Sequence, residues 1–203
     1  MSEETGKATE DKIFEAARDV FHEQGYGGAR MQEIADRAGI NKALLHYYYR
    51  SKDKLFEAVF HVSAMRVVPQ IVGVLTAEMP LREKIERFVH TYIDQIVANP
   101  HVPGFILQEL RRNPNRLRQF VGELARDKFA GIAQDIEEAV ARGEIRPIEA
   151  PHLLANILGL CVFPFIARPM LQTVVGFDDA AYDAFLEARK QEVTAFILNA
   201  LEP

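Results

Sequence analysis

Apolar residues along this chain recur at intervals of three and four rather than two, which predicts helices throughout and no strand. Ile13, Ala16, Ala17, Val20 and Phe21 mark one face of a first helix. Thr9 suits its cap, Glu10 and Asp11 its first turn, and Gly25 its end. The acidic, polar stretch from Met1 to Lys7 reads as a mobile tail. Gly27-Gly28 read as a turn into a second, short helix on which Ile34, Ala35 and Ala38 share a face. Gly39 then supplies a tight turn, Ile40 an apolar plug for the corner, and Asn41 the N-cap of a third helix. At about 100° per residue, Leu45 and Tyr49 fall on one side of that third helix and Ala43, His46 and Tyr47 on the other. Ser51 caps a long helix from about Lys52, expected to bend near Pro69 and end before Pro80. Further helices are expected over 81–98, 102–112, 114–142, 149–166 and 178–201, with Pro114 at a first helical position and Gly143 as a C-terminal stop. The fold class is all-α, of about nine helices.

The second and third helices carry the most informative pattern. A short helix, a glycine turn and a second helix that shows small, aromatic and polar groups outward form a helix-turn-helix suited to the major groove of duplex DNA. A plain pair of core helices would leave the aromatic run His46-Tyr47-Tyr48-Tyr49 as costly apolar surface.

At these residues the chain resembles the TetR family of bacterial transcriptional repressors. Ile34-Ala35, Ala38-Gly39-Ile40, Asn41, Ala43, Leu45, the run His46 to Tyr49, Lys52 and Leu55 stand at the places of the family pattern, and the likeness covers roughly residues 9 to 60. The resemblance implies a three-helix DNA-binding head over 1–54 and a larger helical body for ligand binding and dimerisation over 55–203. DNA-binding residues are then expected at Arg30, Gln32, Asn41, Lys42, Ala43, Leu44, His46, Tyr47, Tyr48 and Lys52. Among them Lys42, Ala43, His46 and Tyr47 are expected at bases, and Arg30, Tyr48 and Lys52 at phosphates. Tyr49 takes the family's core aromatic position. The chain departs from the pattern where relatives carry Ser or Thr to cap the second helix, having Ala29-Arg30 there, and where His46 replaces a usual Tyr.

Charge agrees with a localised footprint. The chain carries a net charge of −5, yet from Tyr26 to Lys54 six cations (Arg30, Arg37, Lys42, Arg50, Lys52, Lys54) face three anions (Glu33, Asp36, Asp53). That local excess of three positive charges leaves −8 on the rest, so a basic patch sits on an acidic protein that repels DNA elsewhere. The single cysteine, Cys161, rules out an intrachain disulfide framework and gives no zinc pattern, which suits a cytoplasmic setting. No uninterrupted apolar run reaches the roughly 18 to 20 residues of a membrane span, so no membrane partner is expected.

The body's features are less specific. Met65, Phe88, Tyr92, Phe105, Phe129, Cys161 and Phe165 are candidates to line a pocket for a small, largely apolar inducer, although core packing accounts for each as well. The long helix from Lys52 joins head to body, so an inducer acting around Met65 to Val74 is the expected lever on DNA binding. Arg111, Arg112, Arg116 and Arg118 read as a solvated corner rather than an anion site. Pro164 is expected to kink its helix and strand a carbonyl. On the last helix Ala181, Phe185, Ala188, Glu192, Ala195, Phe196 and Leu198 to Leu201, with Leu153, Leu154, Ile157, Leu158 and Leu160 before it, offer more apolar face than one small body buries. Pairing with symmetry mates in a four-helix interface makes a homodimer.

The resulting reading is a repressor that binds a palindromic operator as a homodimer and is released by an inducer, with no cofactor and no metal. Control by a protein partner or by Cys161 oxidation, and a helical enzyme, are the alternatives. The enzyme finds no support in the histidines, of which no two stand three or four residues apart, or in any nucleophile elbow or phosphate loop.

Overall fold

The computed structural model describes residues 2–203, the side chains of residues 2–5, Arg116, Glu123 and Leu124 excepted. Among the described residues there are ten α-helices, one short 3-10 turn and no strand. In chain order they are α1 (Ser2–Gly28), α2 (Met31–Arg37), α3 (Lys42–Tyr48), α4 (Lys52–Gly73), the 3-10 turn Val74–Thr76, α5 (Leu81–Ala98), α6 (Val102–Arg112), α7 (Pro114–Ala141), α8 (Ala150–Ile166), α9 (Arg168–Val175) and α10 (Asp179–Ala200). The chain forms two compact units, residues 1–66 with 104–114 and residues 67–103 with 115–203. The first unit therefore runs past a boundary at 54/55 and takes in most of α6, because α4 keeps burying Leu55, Phe56, Val59 and Phe60 well beyond its start.

Most expected boundaries hold, and three differ. The first helix begins at Ser2, not Thr9, and a mobile tail is not what residues 2–7 form; Met1 lies outside the described residues. Glu3, Glu4 and Lys7 are good helix formers, and no proline stands in this stretch to prevent helix propagation. At the other end the chain turns at Gly25, whose φ of 65° a side chain would resist, and helical residues resume through Gly28, so Ala29-Arg30 form the actual link to α2. Third, α9 is an additional helix, set at 74° to α8 and closed by Gly176 at φ 81°.

In the first unit, Ile13, Ala17, Val20 and Phe21 of α1 bury against Ile34 and Ala35 of α2, Leu45 of α3 and the inner face of α4. Phe56 stands at the centre of an aromatic cluster, edge-on to Phe21, Tyr26 and Phe105 at centroid separations of 5.1, 5.4 and 5.8 Å. In the second unit α5 packs on α8 and α10. Its buried residues Leu81, Ile85, Phe88, Val89, Ile93 and Ile96 follow the three-and-four spacing of one helix face. Lys84 is buried among them, and its ammonium pairs with Asp135 of α7 and donates to the Leu75 carbonyl at 3.3 Å. By length and composition Lys52–Thr76 is apolar enough to cross a membrane, contrary to the expectation from uninterrupted runs. Its apolar residues Leu55, Phe56, Val59, Phe60, Ala64, Val67 and Ile71 are spent on burial inside the chain.

Pro164 shows how the second unit accommodates a break. Lacking an N–H, it cannot serve the carbonyl of Leu160 four residues earlier. Arg189 of α10 supplies the missing donor, its Nη2 at 3.0 Å from the Leu160 oxygen. Tyr182, also on α10 and 1% exposed, donates its hydroxyl at 2.8 Å to the Pro164 carbonyl, one of the orphaned carbonyls of the last turn of α8. Side chains of α10 thus satisfy the carbonyls that the break and the end of α8 leave over. Arg189→Ala is expected to cost about 1–3 kcal/mol by stranding the Leu160 carbonyl. The Pro164→Ala background, which restores the backbone donor, is expected to shrink that cost, and denaturant titration of the four-member mutant cycle measures the difference. Equal costs in both backgrounds would refute the compensation.

Candidate nucleic-acid interface

The interface is built from a buried anchor and an exposed arc. Leu45 is the one residue of α3 that is fully buried, and it fixes the helix's rotation about its axis. Ile34, Ala35 and Ala38 hold α2 on the same core, and Gly39 at φ 68° turns the chain between the two. Ile40 is half-buried at the corner. Asn41 caps α3, its side-chain oxygen accepting from the Leu44 N–H at 2.8 Å. With Leu45 turned in, Lys42, Ala43, Leu44, His46 and Tyr47 are turned out, and Tyr47 is 81% exposed. A tyrosine left this bare on a short helix, its ring edge-on to Tyr48 at 5.6 Å, presents an amphipathic group to the outside.

The other end of the helix-turn-helix is capped less firmly. Arg30 occupies the N-cap of α2 in extended conformation and makes no side-chain cap bond, so the Ala29-Arg30 departure does leave α2 uncapped by a side chain. Gln32 is exposed and donates to Asp36 at 2.8 Å.

The six cations of this region divide into two groups. Arg37 is held by Glu23 through two bonds of 2.7 and 2.8 Å, and Lys54 by Glu57 at 3.0 Å. Lys52 is drawn inward, its ammonium donating to the carbonyls of Tyr26 at 2.8 Å and Ala29 at 2.9 Å and lying 4.3 Å from the centre of the Tyr26 ring. Those two carbonyls flank the link into α2, so Lys52 ties the start of α4 to it. Two of its three donors are committed there, leaving one for a phosphate. Arg30, Lys42 and Arg50 are exposed and, among the described residues, make no ion pair or side-chain hydrogen bond. Arg50, just beyond the C-cap of α3, is the residue that sequence reasoning passed over. Its signal was its place in the basic stretch, where no charge pattern told a paired cation from an unpaired one.

Tyr48 and Tyr49 brace α3 against α1. Tyr48 donates to the Gly6 carbonyl at 3.4 Å and Tyr49 to Glu10 at 3.3 Å. Tyr49 is half-buried rather than in the core, because it caps α3 in extended conformation and its ring leaves the helix toward Glu10. Burial first, and then the Glu10 carboxylate, push its hydroxyl up to about 12.

The seven pocket candidates do not converge on one place. Phe88 and Phe129 line an apolar cavity of ≈ 30 Å³ in the second unit with Leu81, Ile85, Ile132 and Leu153. Tyr92 is half-buried near the buried Cys161 in the same unit, and Phe165 is half-buried there. Burial pushes the Cys161 thiol up to about 12, with Arg189 pulling the other way. Met65 and Phe105 belong instead to the first unit, Met65 as an exposed residue of α4 and Phe105 as core beneath Phe56. Arg112 is no solvated corner, since it stacks on Tyr26 and pairs with Asp53, whereas Arg111 and Arg118 are exposed; the Arg116 side chain lies outside the described residues. Among the described residues no three His, Cys, Asp or Glu side chains gather as a metal site would require.

Comparison with known proteins agrees with this geometry. Residues 13–59 match the family described as bacterial regulatory proteins, tetR family, and residues 82–197 match the family described as tetracyclin repressor-like, C-terminal domain. Over 193 residues the chain is 26% identical to an HTH-type transcriptional repressor of Streptomyces coelicolor, covering 94% of this chain and 96% of that one. It is 25% identical over 207 residues to the HTH-type transcriptional regulator RutR of Escherichia coli, covering 97% and 92%. A TetR family transcription regulator from Marinobacter aquaeolei shares the fold at a TM-score of 0.66 and 17% identity, covering 98% of each chain.

The bonding pattern separates cations that brace from cations that are free. Lys52→Ala is expected to destabilise the head by about 1–3 kcal/mol, since two carbonyls lose their charged donor. Arg30→Ala and Arg50→Ala are expected to stay within about 0.5 kcal/mol of the unaltered protein. Thermal unfolding followed by circular dichroism compares the three; indistinguishable midpoints would remove Lys52 from the brace.

Proposed function

The chain belongs to the TetR family and is a DNA-binding transcriptional regulator, and from that premise we propose that it represses by seating α3 in the major groove of a palindromic operator as a homodimer. The observation that carries this reading is the outward face of α3, where Lys42, Ala43, His46 and an 81% exposed Tyr47 stand opposite the buried Leu45. Lys42, Ala43, His46 and Tyr47, with Leu44 and the cap Asn41 beside them, read base edges and the groove floor. Arg30, Arg50 and the remaining donor of Lys52 hold phosphates, with Gln32 and Tyr48 at the flanks. One such head neutralises few phosphates, so duplication is what gives affinity and specificity.

Two faces of the second unit support the dimer. On α10 the residues that the chain buries are Tyr182, Leu186, Val193, Thr194 and Ile197. Ala181, Ala188, Glu192, Ala195 and Phe196 face out, and Phe196 is 65% exposed. On α8 Ala155, Asn156, Gly159 and Phe163 are exposed, so small residues let a second helix approach closely. Packing α8 and α10 against their symmetry mates covers both stripes.

The inducer reading rests on the apolar cavity between α5, α7 and α8. At ≈ 30 Å³ it has the volume of about one water molecule, so a small apolar compound enters only by displacing its walls. Leu75, two residues after the end of α4, is part of that wall, which connects a displaced wall to the helix that starts at Lys52. Oxidation of Cys161 is the weaker signal, because a thiol 1% exposed and held protonated by burial is slow to react. A regulator of this kind works in the cytoplasm.

Selection from a random duplex pool is expected to return an inverted repeat, and sedimentation a dimer at micromolar concentration. Phe196→Asp is expected to yield monomers and to weaken operator binding. Arg30→Ala or Arg50→Ala should flatten the dependence of log affinity on log salt by about one for each phosphate that the complex no longer neutralises. Lys42→Ala or His46→Ala should instead change base preference, at about 1–3 kcal/mol for each good base pairing removed. A monomer that binds as tightly as the unaltered protein, or unchanged base preference in both α3 variants, would overturn the reading.

A further inference from the structure

Arg112 closes the first unit from outside the helix-turn-helix. It is the last residue of α6, more than 50 positions beyond the three-helix head expected over 1–54, and its guanidinium carbon lies 3.3 Å from the centre of the Tyr26 ring and 5.9 Å from that of Phe56. The same guanidinium pairs with Asp53 in the first turn of α4. Tyr26 donates its hydroxyl to the same Asp53 oxygen at 2.8 Å, and Tyr26 and Ala29 supply the carbonyls that Lys52 holds. The end of α1, the link into α2 and the start of α4 therefore meet at one ring, and α6 places a planar cation on it.

We propose that Arg112 is a positioning residue for DNA recognition, which holds the Ala29-Arg30 link and the start of α4 in the register that presents α3 to the groove. This rests on the reading of α3 as the DNA-contacting helix. Both the weakness of the link and the shape of the guanidinium favour this role. α2 has no side-chain N-cap, and the side chain of Arg30, at that cap, makes no hydrogen bond or ion pair among the described residues, so the link depends on what grips its two ends. At one end that grip is Tyr26. An exposed Arg–Asp pair by itself contributes little. A flat guanidinium stacked on a partly buried aromatic ring and paired at its edge is both stronger and directional, and lysine does not reproduce it. The side chain of Arg112 is 26% exposed and turned to Tyr26 and Asp53, so it is bound within the protein rather than presented to phosphate.

The test uses the full chain and a duplex that the unaltered protein has selected from a random pool. Arg112→Ala is expected to weaken binding about ten-fold, the size of one partly desolvated cation–π contact, on selected and on single-mismatch duplexes alike. Its salt slope is expected to match that of the unaltered protein, because the same phosphates stay neutralised. Arg112→Lys, which keeps the charge and guards against a variant that fails to fold, should recover only part of the affinity. Asp53→Asn added to Arg112→Ala should weaken binding no further, and amide exchange without DNA should speed up over 26–52 but not over 81–98. Unchanged affinity, full rescue by lysine, a salt slope flattened as by the removal of a phosphate-binding cation, or simply additive losses at Asp53 and Arg112 would each overturn the proposal. A pool from which the unaltered protein selects nothing would instead fail the DNA-binding reading itself, and the proposal with it.

Discussion

The grip on Tyr26 is the constraint on which the geometry of the first unit depends. One residue is held through its backbone carbonyl by Lys52, through its ring by Lys52 and Arg112, and through its hydroxyl by Asp53. Each of these contacts alone is modest, and partly exposed ion pairs in particular contribute little. Together they make a closed circuit in which two cations and one anion share an aromatic ring, so that no member moves without unpairing another. The circuit joins three segments distant in sequence, and it does so beside the aromatic cluster centred on Phe56. Burial and the Asp53 hydrogen bond raise the Tyr26 hydroxyl above its ordinary value, which keeps it a donor across the physiological range.

Around that fixed point the helix-turn-helix is a division between what is buried and what is left over. Leu45 alone sets the rotation of α3, and the rest of that helix is surface. The cations sort in the same way. Those near carboxylates or carbonyls are consumed in holding the fold, and Arg30, Lys42 and Arg50 remain. An acidic chain with these three cations unengaged around one exposed helix presents a small positive field to a polyanion and repels it elsewhere, which favours a docked geometry over nonspecific coating.

The second unit follows another economy. Its helices carry breaks and buried charges, and each is answered by a side chain from a neighbour. Pro164 removes a backbone donor and Arg189 replaces it; the end of α8 leaves a carbonyl that Tyr182 takes; Lys84 enters an apolar core with Asp135. These answers bind α8 to α10 and α5 to α7, and they leave the outward stripes of α8 and α10 exposed. The apolar cavity that Lys84 helps to line holds only ≈ 30 Å³, so a ligand there competes with the protein's own contacts.

The sequence by itself determined the helical class, nearly all helix boundaries, the helix-turn-helix and which side of α3 faces out. Those features are local: helical periodicity, caps such as Asn41 and Ser51, and stops such as Gly39 and Gly143 act over a few residues and are written at fixed spacing. Only the tertiary structure decided which cations are free, because Arg30 and Arg37 look alike in sequence and differ in whether Glu23 of α1 stands within reach. It alone turned Lys52 inward, moved Arg112 from a solvated corner to the face of Tyr26, and divided the pocket candidates between two units. Each of these outcomes depends on partners on other elements, and periodicity carries no information about which distant carboxylate, carbonyl or ring a long side chain will meet.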